Sequence, residues 1–243
     1  MLPTLANVCS SAGHSDHLLE RLAYHYGTDK SRDDHKYVDQ YAMLFDNRRE
    51  RMHNVTEVGV SGGQSLQVWA EYFPNAKLWG VDPAPLPSAL EIAEDWNPRI
   101  TLGNANSMNA TEVELALPGM AEETQDLIID DGIHSPQANQ ATLAVFWRFV
   151  RPGGYYIIED MPTGGDRVGE RYASRSRYPG GFNPMVHDPG FWTPLSRAVM
   201  ENNDVTFVDT LVGTRSFGTL KSRMVKWCAT GPCTFESNGH DRT

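Results

Sequence analysis

Short apolar runs alternate along this chain with longer stretches in which apolar residues recur every three or four positions. The runs fall at residues 55–60, 77–81, 100–103, 127–130 and 154–158. Unbroken apolar runs of this length predict strands buried on both faces of a parallel sheet. Between the first two, Leu66, Val68, Trp69 and Tyr72 predict a helix opening near Ser65. Between the last two, residues 136–150 are of helix length and are closed by Arg151-Pro152-Gly153-Gly154. A strand, a helix and a second strand form a βαβ unit, whose strands lie parallel and close. Ahead of the first run, Leu18, Leu19, Leu22 and Ala23 share one helical stripe, and Tyr37, Tyr41, Leu44 and Phe45 share another. The polar segment Tyr26-Gly27-Thr28-Asp29-Lys30 separates them, so residues 27–37 either cap the sheet or fold over a ligand. Residues 163–194 have no clean period and follow directly on the fifth run. A loop of that length in a compact domain is functional or disordered, and its arginines and aromatics, such as Arg171, Tyr172 and Trp192, suit a substrate lid. A helix is expected at 194–202, an antiparallel strand pair at 205–212 and 224–229, and a frayed tail at 231–243.

Polar residues gather where the apolar runs stop. The fourth run ends in Asp130-Asp131-Gly132-Ile133-His134, and the fifth in Glu159-Asp160. Ligands of open α/β sheets bind outside the carboxyl ends of the strands. Four carboxylates and a histidine are therefore expected to converge at one mouth. The first run continues into Gly59-Val60-Ser61-Gly62-Gly63 and then a helix, the layout of a nucleotide-binding first unit. It departs from the dinucleotide fingerprint, with Ser61 in place of a glycine and Glu57 inside the motif. A carboxylate there suits a ligand carrying positive or hydroxyl groups better than a pyrophosphate. A glycine turn with no ligand is the plainer alternative. Asp82, at the second strand tip, is placed to accept hydrogen bonds from ribose hydroxyls, although turn aspartates are common. Asn106, after the third run, faces an adenine base or is an ordinary turn residue.

Bulk properties narrow the classes. The 243 residues, 40% hydrophobic, suffice for one sizeable core, so one domain is expected. A net charge of −10 argues against nucleic acid and anionic membrane as partners. No apolar run approaches the roughly 18 residues of a membrane span. The first residues lack a basic region followed by an apolar one, so no secretory signal is read there. The three cysteines, Cys9, Cys228 and Cys233, form neither a zinc spacing nor a disulfide framework; Cys228 and Cys233 could pair, but free thiols in a cytoplasmic protein are expected.

The ordered set Glu57-x-Gly59, Asp82 and Asp130-Asp131 resembles a class I S-adenosylmethionine-dependent methyltransferase. Four motifs sharpen the resemblance: Tyr26-Gly27-Thr28-Asp29-Lys30, the segment from Ser65 to Ala76, Ile129-Asp130-Asp131-Gly132-Ile133-His134, and Pro152-Gly153-Gly154 with Ile158-Glu159-Asp160. Together they are similar to the metal-dependent O-methyltransferases of macrolide and rhamnosyl sugars, with cephalosporin-hydroxylase-like relatives. The resemblance covers residues 26–160. The characterised macrolide enzymes are longer, with a further N-terminal domain.

The resemblance implies a single Rossmann-like α/β domain, with a seven-stranded, mostly parallel sheet and helices on both faces. Its parts would be a helical cap and ligand-covering loop at 1–52, a core at 53–230 and a tail at 231–243. It assigns Asp131, Glu159 and Asp160 to Mg2+, for which hard oxygen donors are suited. It assigns His134 the role of base, because an alcohol attacks only once its proton is removed and imidazole accepts protons near neutral pH. Glu57, Gly59, Ser61, Ser65, Asp82, Asn106, Asp130 and Thr28 would surround S-adenosylmethionine. The expected reaction is Mg2+-dependent methyl transfer to a hydroxyl of a small molecule, a sugar or glycosylated natural product. Two alternatives stand beside it: a catechol or phenol O-methyltransferase, and a cofactor-binding partner subunit without turnover. Assembly into a homo-oligomer is left open.

Overall fold

The computed structural model describes residues 18–161 and 193, and beyond them the strand segments 204–209, 216–221, 227–228 and 231–232. The elements run α1 (Leu18–Tyr26), α2 (Tyr37–Phe45), β1 (Asn54–Val58), α3 (Gln64–Tyr72), β2 (Lys77–Asp82), α4 (Pro87–Asp95), β3 (Ile100–Asn104), α5 (Ala110–Ala116), β4 (Gln125–Asp130), α6 (Pro136–Phe146), β5 (Val150–Met161), β6 (Asp204–Asp209) and β7 (Ser216–Lys221). A two-stranded ladder of β8 (Trp227–Cys228) and β9 (Gly231–Pro232) stands apart.

The main sheet has the order β3-β2-β1-β4-β5-β7-β6. Its first five strands are parallel, and β7 pairs antiparallel with both β5 and β6. The order reverses beside β1, so the crevice at the carboxyl ends of β1 and β4 is the expected ligand position. Register brings the tips level, with Val58 opposite Asp130 and Asp130 opposite Ile158.

Strand alternation divides the core into two layers. Leu127, Ile129, Tyr155 and Ile157 face one layer with Leu22 of α1, Tyr41 of α2 and Trp69 of α3. Ile128, Tyr156 and Ile158 face the other with Val113 of α5 and Phe146 of α6. The parallel α/β core with helices on both faces therefore agrees with the sequence reading. The two N-terminal stripes pack on the α3 face, where the Tyr41 and Trp69 rings lie 4.8 Å apart.

Three boundaries differ from expectation. The closing turn at Arg151-Pro152-Gly153-Gly154 is instead absorbed into β5, through a register shift between Gln125 and Leu127. The last strand pair is 204–209 with 216–221, not 205–212 with 224–229. Ser216-Phe217-Gly218-Thr219-Leu220-Lys221 carries little apolar signal, and its strand state follows from pairing on both edges. Residues 231–232, expected in a tail, pair with 227–228. The expected loose end before residue 16, the helix at 194–202 and the lid at 163–194, apart from Thr193, lie outside the described residues. The amide of Thr193 donates to Gln140 of α6.

Candidate active site

At the mouth, the loop after β1 meets the loop after β4. Asp131 N donates to the Val58 carbonyl at 2.9 Å, and Gly59 N donates to the Val81 carbonyl at 2.9 Å. Gly59 has φ +84°, and a Cβ built there would lie 2.0 Å from the Asp131 carbonyl oxygen. Only glycine meets both conditions. Gly59→Ala should therefore cost on the order of 3 kcal/mol of folding stability, because it adds a left-handed alanine to a backbone collision. Urea denaturation measures this, and an unchanged midpoint would show that the two loops are not in contact.

Asp82 organises the next loop. Its Oδ2 accepts from Val60 N at 3.0 Å and Ser61 N at 2.9 Å, and its Oδ1 accepts from Ala84 N at 2.8 Å. The glycine loop is thus shaped around this carboxylate. A cavity of about 560 Å³ opens beside it, lined by Gly59, Ser61, Asp82, Asn106, Ser107, Asp131, His134 and Asp160, with Asp29 and His35. Four of these residues are aspartates, so the cavity favours a cationic ligand. Ser61, His134 and Asp160 all have left-handed backbones, with φ of 49°, 53° and 47°. Such conformations in non-glycine residues cost energy and gather at functional sites.

The strand tips carry the acids. Asp131 Oδ1 lies 3.8 Å from His134 Nε2, and Asp160 Oδ2 lies 3.9 Å from the same nitrogen. One ligand atom from each of the three residues falls within 4.8 Å of the others. These separations exceed a hydrogen bond and leave room for an atom among the three groups. The left-handed turn at Asp160 breaks the alternation of β5. Glu159 and Asp160 then both meet α2: Tyr41 Oη donates to Glu159 Oε1 at 2.5 Å, and Tyr37 Oη donates to Asp160 Oδ1 at 2.6 Å.

Beneath this cluster lies Lys30, 2% exposed. Its Nζ donates to Asp131 Oδ2 at 2.6 Å and to Glu159 Oε2, and lies 3.9 Å from Glu57 Oε1. Burial disfavours the ammonium, but the carboxylates of Asp131, Glu159 and Glu57 more than offset this and hold its pKa well above the usual value. Burial likewise pushes Glu159 well up, against the pull of Lys30. Asp131 stays below the ordinary carboxylate range, since Lys30 and His134 outweigh its own burial.

The structure brings Gly59, Ser61, Asp82, Asn106, Asp131, His134 and Asp160 together at one cavity. Five other sequence candidates are not among its lining. Glu57 accepts from Ser65 Oγ at 2.7 Å and Trp69 Nε1 at 3.1 Å, which ties β1 to α3 and engages Ser65 as well. Burial pushes the Glu57 carboxyl up to about 7. Thr28 closes α1 through its amide, which donates to the Ala23 carbonyl. Asp130 points into the opposite layer, where its Oδ2 accepts from Tyr156 Oη at 3.1 Å and Asn139 Nδ2 at 3.4 Å, and burial pushes it up to about 7. Glu159 has one oxygen on Tyr41 and the other on Lys30. Asn106 lines the cavity while its Oδ1 accepts from Met108 N, so the turn role is present too. Sequence reading gave no role to Lys30, Tyr37 or Tyr41. The tyrosines were visible as one helical stripe, and Lys30 as the end of a polar motif.

The chain is 30% identical over 154 residues to L-olivosyl-oleandolide 3-O-methyltransferase of Streptomyces antibioticus, covering 60% of this chain and 37% of that one. It is 30% identical over 152 residues to mycinamicin VI 2''-O-methyltransferase of Micromonospora griseorubida, covering 60% and 36%. The chain thus spans little more than a third of the length of these curated relatives. Among solved structures, the MycE methyltransferase of the mycinamycin biosynthetic pathway, in complex with Mg and SAH, superposes with a TM-score of 0.58 at 24% identity, over 87% of this chain and 56% of that one. That likeness is one of fold. Residues 56–161, which hold the glycine loop, both acidic strand tips and His134, match the family model of a methyltransferase domain.

Proposed function

We propose that this protein transfers a methyl group from S-adenosylmethionine to a hydroxyl of a small molecule, a sugar or glycosylated natural product, in a Mg2+-dependent reaction. One observation carries the reading: Asp131, Asp160 and His134 converge on the cavity that the glycine loop and Asp82 also line. Acceptor and methyl donor can then meet in one space. The names of the two relatives, both O-methyltransferases, and the Mg and SAH bound by MycE support the same chemistry.

The donor set fits the proposed groups. Carboxylate oxygens on two adjacent strand tips are the hard donors that Mg2+ prefers, and His134 stands within reach of both. When bound, the cation supplies Lewis acidity that makes the acceptor hydroxyl easier to deprotonate. The aspartate-rich wall favours the positive sulfonium and ammonium groups of S-adenosylmethionine over a pyrophosphate. His134 takes the hydroxyl proton as the new O–CH3 bond forms. When bound, S-adenosylmethionine would supply the methyl group from its sulfonium, the C–S electron pair staying on sulfur so that neutral S-adenosylhomocysteine would be left. The reading of a partner subunit without turnover is disfavoured by the presence of both acids and the histidine at the cavity.

Calorimetry with S-adenosylmethionine tests the cofactor half. The wild type should bind it, and Asp82→Ala should weaken binding by about 1–3 kcal/mol, through loss of the ribose acceptor and of three loop contacts. Unchanged affinity in the variant would remove Asp82 from the site. Cofactor binding with no uptake of Mg2+ would favour the partner-subunit reading.

A further inference from the structure

Asp160 reaches the cavity through a backbone conformation that costs energy. Along β5, Ile157 packs in the α3 layer and Ile158 in the α6 layer, so alternation would carry Glu159 to the first and Asp160 to the second. Asp160 does not follow. Its φ is 47°, and the pairing of β5 with β7 skips from Ile158 to Met161. A left-handed residue other than glycine persists only where its surroundings hold it. Tyr37, at the start of α2, holds it at two points. Its Oη donates to Asp160 Oδ1 at 2.6 Å and accepts from Asp160 N at 3.1 Å. One oxygen atom thus fixes the backbone and the carboxylate of the same residue. The remaining oxygen, Oδ2, is the one that faces His134 at 3.9 Å. His35 Nδ1 lies farther from Asp160 Oδ1, at 3.6 Å. Tyr37 is itself set in place: it is fully buried, and its amide donates to the Lys30 carbonyl at 3.1 Å.

We propose that Tyr37 is a positioning residue of the metal centre: its hydroxyl locks the turn that brings Asp160 Oδ2 to the cavity beside Asp131. This rests on the metal-dependent reading above. With the hydroxyl gone, the Asp160 amide loses an acceptor and Oδ1 loses a donor. The backbone can then relax toward an extended strand, whose alternation carries the carboxylate toward the α6 layer and away from Asp131. Asp131 and Glu159 keep their places, so metal binding is weakened and not abolished. Tyr37 acts here through Asp160 and not on the reacting atoms. Phenylalanine fills nearly the same volume, so Tyr37→Phe removes the lock and keeps the packing of α2 on the sheet.

The test is calorimetric titration of Mn2+, as a hard divalent probe, into wild type, Tyr37→Phe and Phe45→Leu, below the melting temperature of each. Phe45 lies two turns along the same helix, fully buried against Phe73 and Tyr155, so Phe45→Leu loosens α2 without touching either acid of β5. Tyr37→Phe should raise the Mn2+ dissociation constant by about ten- to a hundredfold, as loss of a partner that orients a ligating carboxylate does. Phe45→Leu should lower the melting temperature and leave the constant within about threefold of wild type. A Tyr37→Phe variant that binds Mn2+ within about threefold of wild type would overturn the proposal, and so would equal weakening in Phe45→Leu, since the loss would then follow general loosening of α2. Should Tyr37→Phe not fold, Tyr37→4-aminophenylalanine decides in its place. That side chain keeps the ring and a donor for Oδ1 but accepts poorly from the Asp160 amide, so Mn2+ binding should weaken by about threefold or more, and an unchanged constant would overturn the proposal. A wild type that binds no Mn2+ removes the metal-dependent reading and this inference with it. Wild-type binding that persists unchanged in Tyr37→Phe removes only the role of Tyr37.

Discussion

Asp131→Asn is expected to lower kcat by about a thousandfold or more at ordinary Mg2+ concentration, with S-adenosylmethionine affinity changed little. Two effects act at one atom pair. Oδ1 is the oxygen that faces His134 and Asp160, and the amide halves the charge opposed to the cation. Oδ2 accepts from Lys30 at 2.6 Å, so the substitution also releases that ammonium toward Glu159 and Glu57. Lys30 keeps those two carboxylates, and the fold should survive. A thermal melt beside the kinetic assay separates the effects. Loss of turnover with an intact melt supports a metal role, whereas loss of both would make Asp131 a structural partner of Lys30. EDTA should reproduce the kinetic loss in the wild type, and Mg2+ should restore it there but not in the variant.

His134→Ala should reduce kcat by roughly 10²–10⁴ while cofactor and metal binding stay close to wild type. The ring stands at the mouth, 33% exposed, with Nε2 directed at the two aspartates. Its Nδ1 has no hydrogen-bond partner among the described residues, so no neighbour there fixes the tautomer. Because the backbone is left-handed at φ 53°, His134→Asn is the better control. Asparagine tolerates that conformation and keeps a hydrogen bond, but accepts no proton. It should fold as well as the wild type and turn over nearly as slowly as alanine. Mn2+ affinity falling by an order of magnitude in either variant would make His134 a ligand instead of the base.

The parts of the site that could be read from sequence are those made by consecutive residues. An apolar run that stops at two acids fixes a strand and the end at which ligands bind, which puts Asp131, Asp160, Asp82 and Gly59 at one mouth. Which acid of each pair faces which layer was harder. Asp130 follows strand alternation into the α6 side, where Tyr156 and Asn139 receive it. Asp160 departs from alternation because its backbone turns left-handed, and no residue type nearby announces that. Lys30 was out of reach for a different reason. Its partners are 101 and 129 positions away in sequence, and the pairing exists only once the α1–α2 segment docks on the sheet. The last strands depart from the apolar pattern for a third reason: β7 owes its strand state to neighbours on both edges.

Metal-dependent methyl transfer has one direct test. Methyl-deuterated S-adenosylmethionine should be incubated with the protein and a panel of glycosylated polyketides, other sugars and phenols, and each acceptor followed by mass spectrometry. The expected result is a labelled methyl on a hydroxyl of a glycoside, lost in EDTA and restored by Mg2+. Label reaching an acceptor at the same rate in EDTA would contradict it.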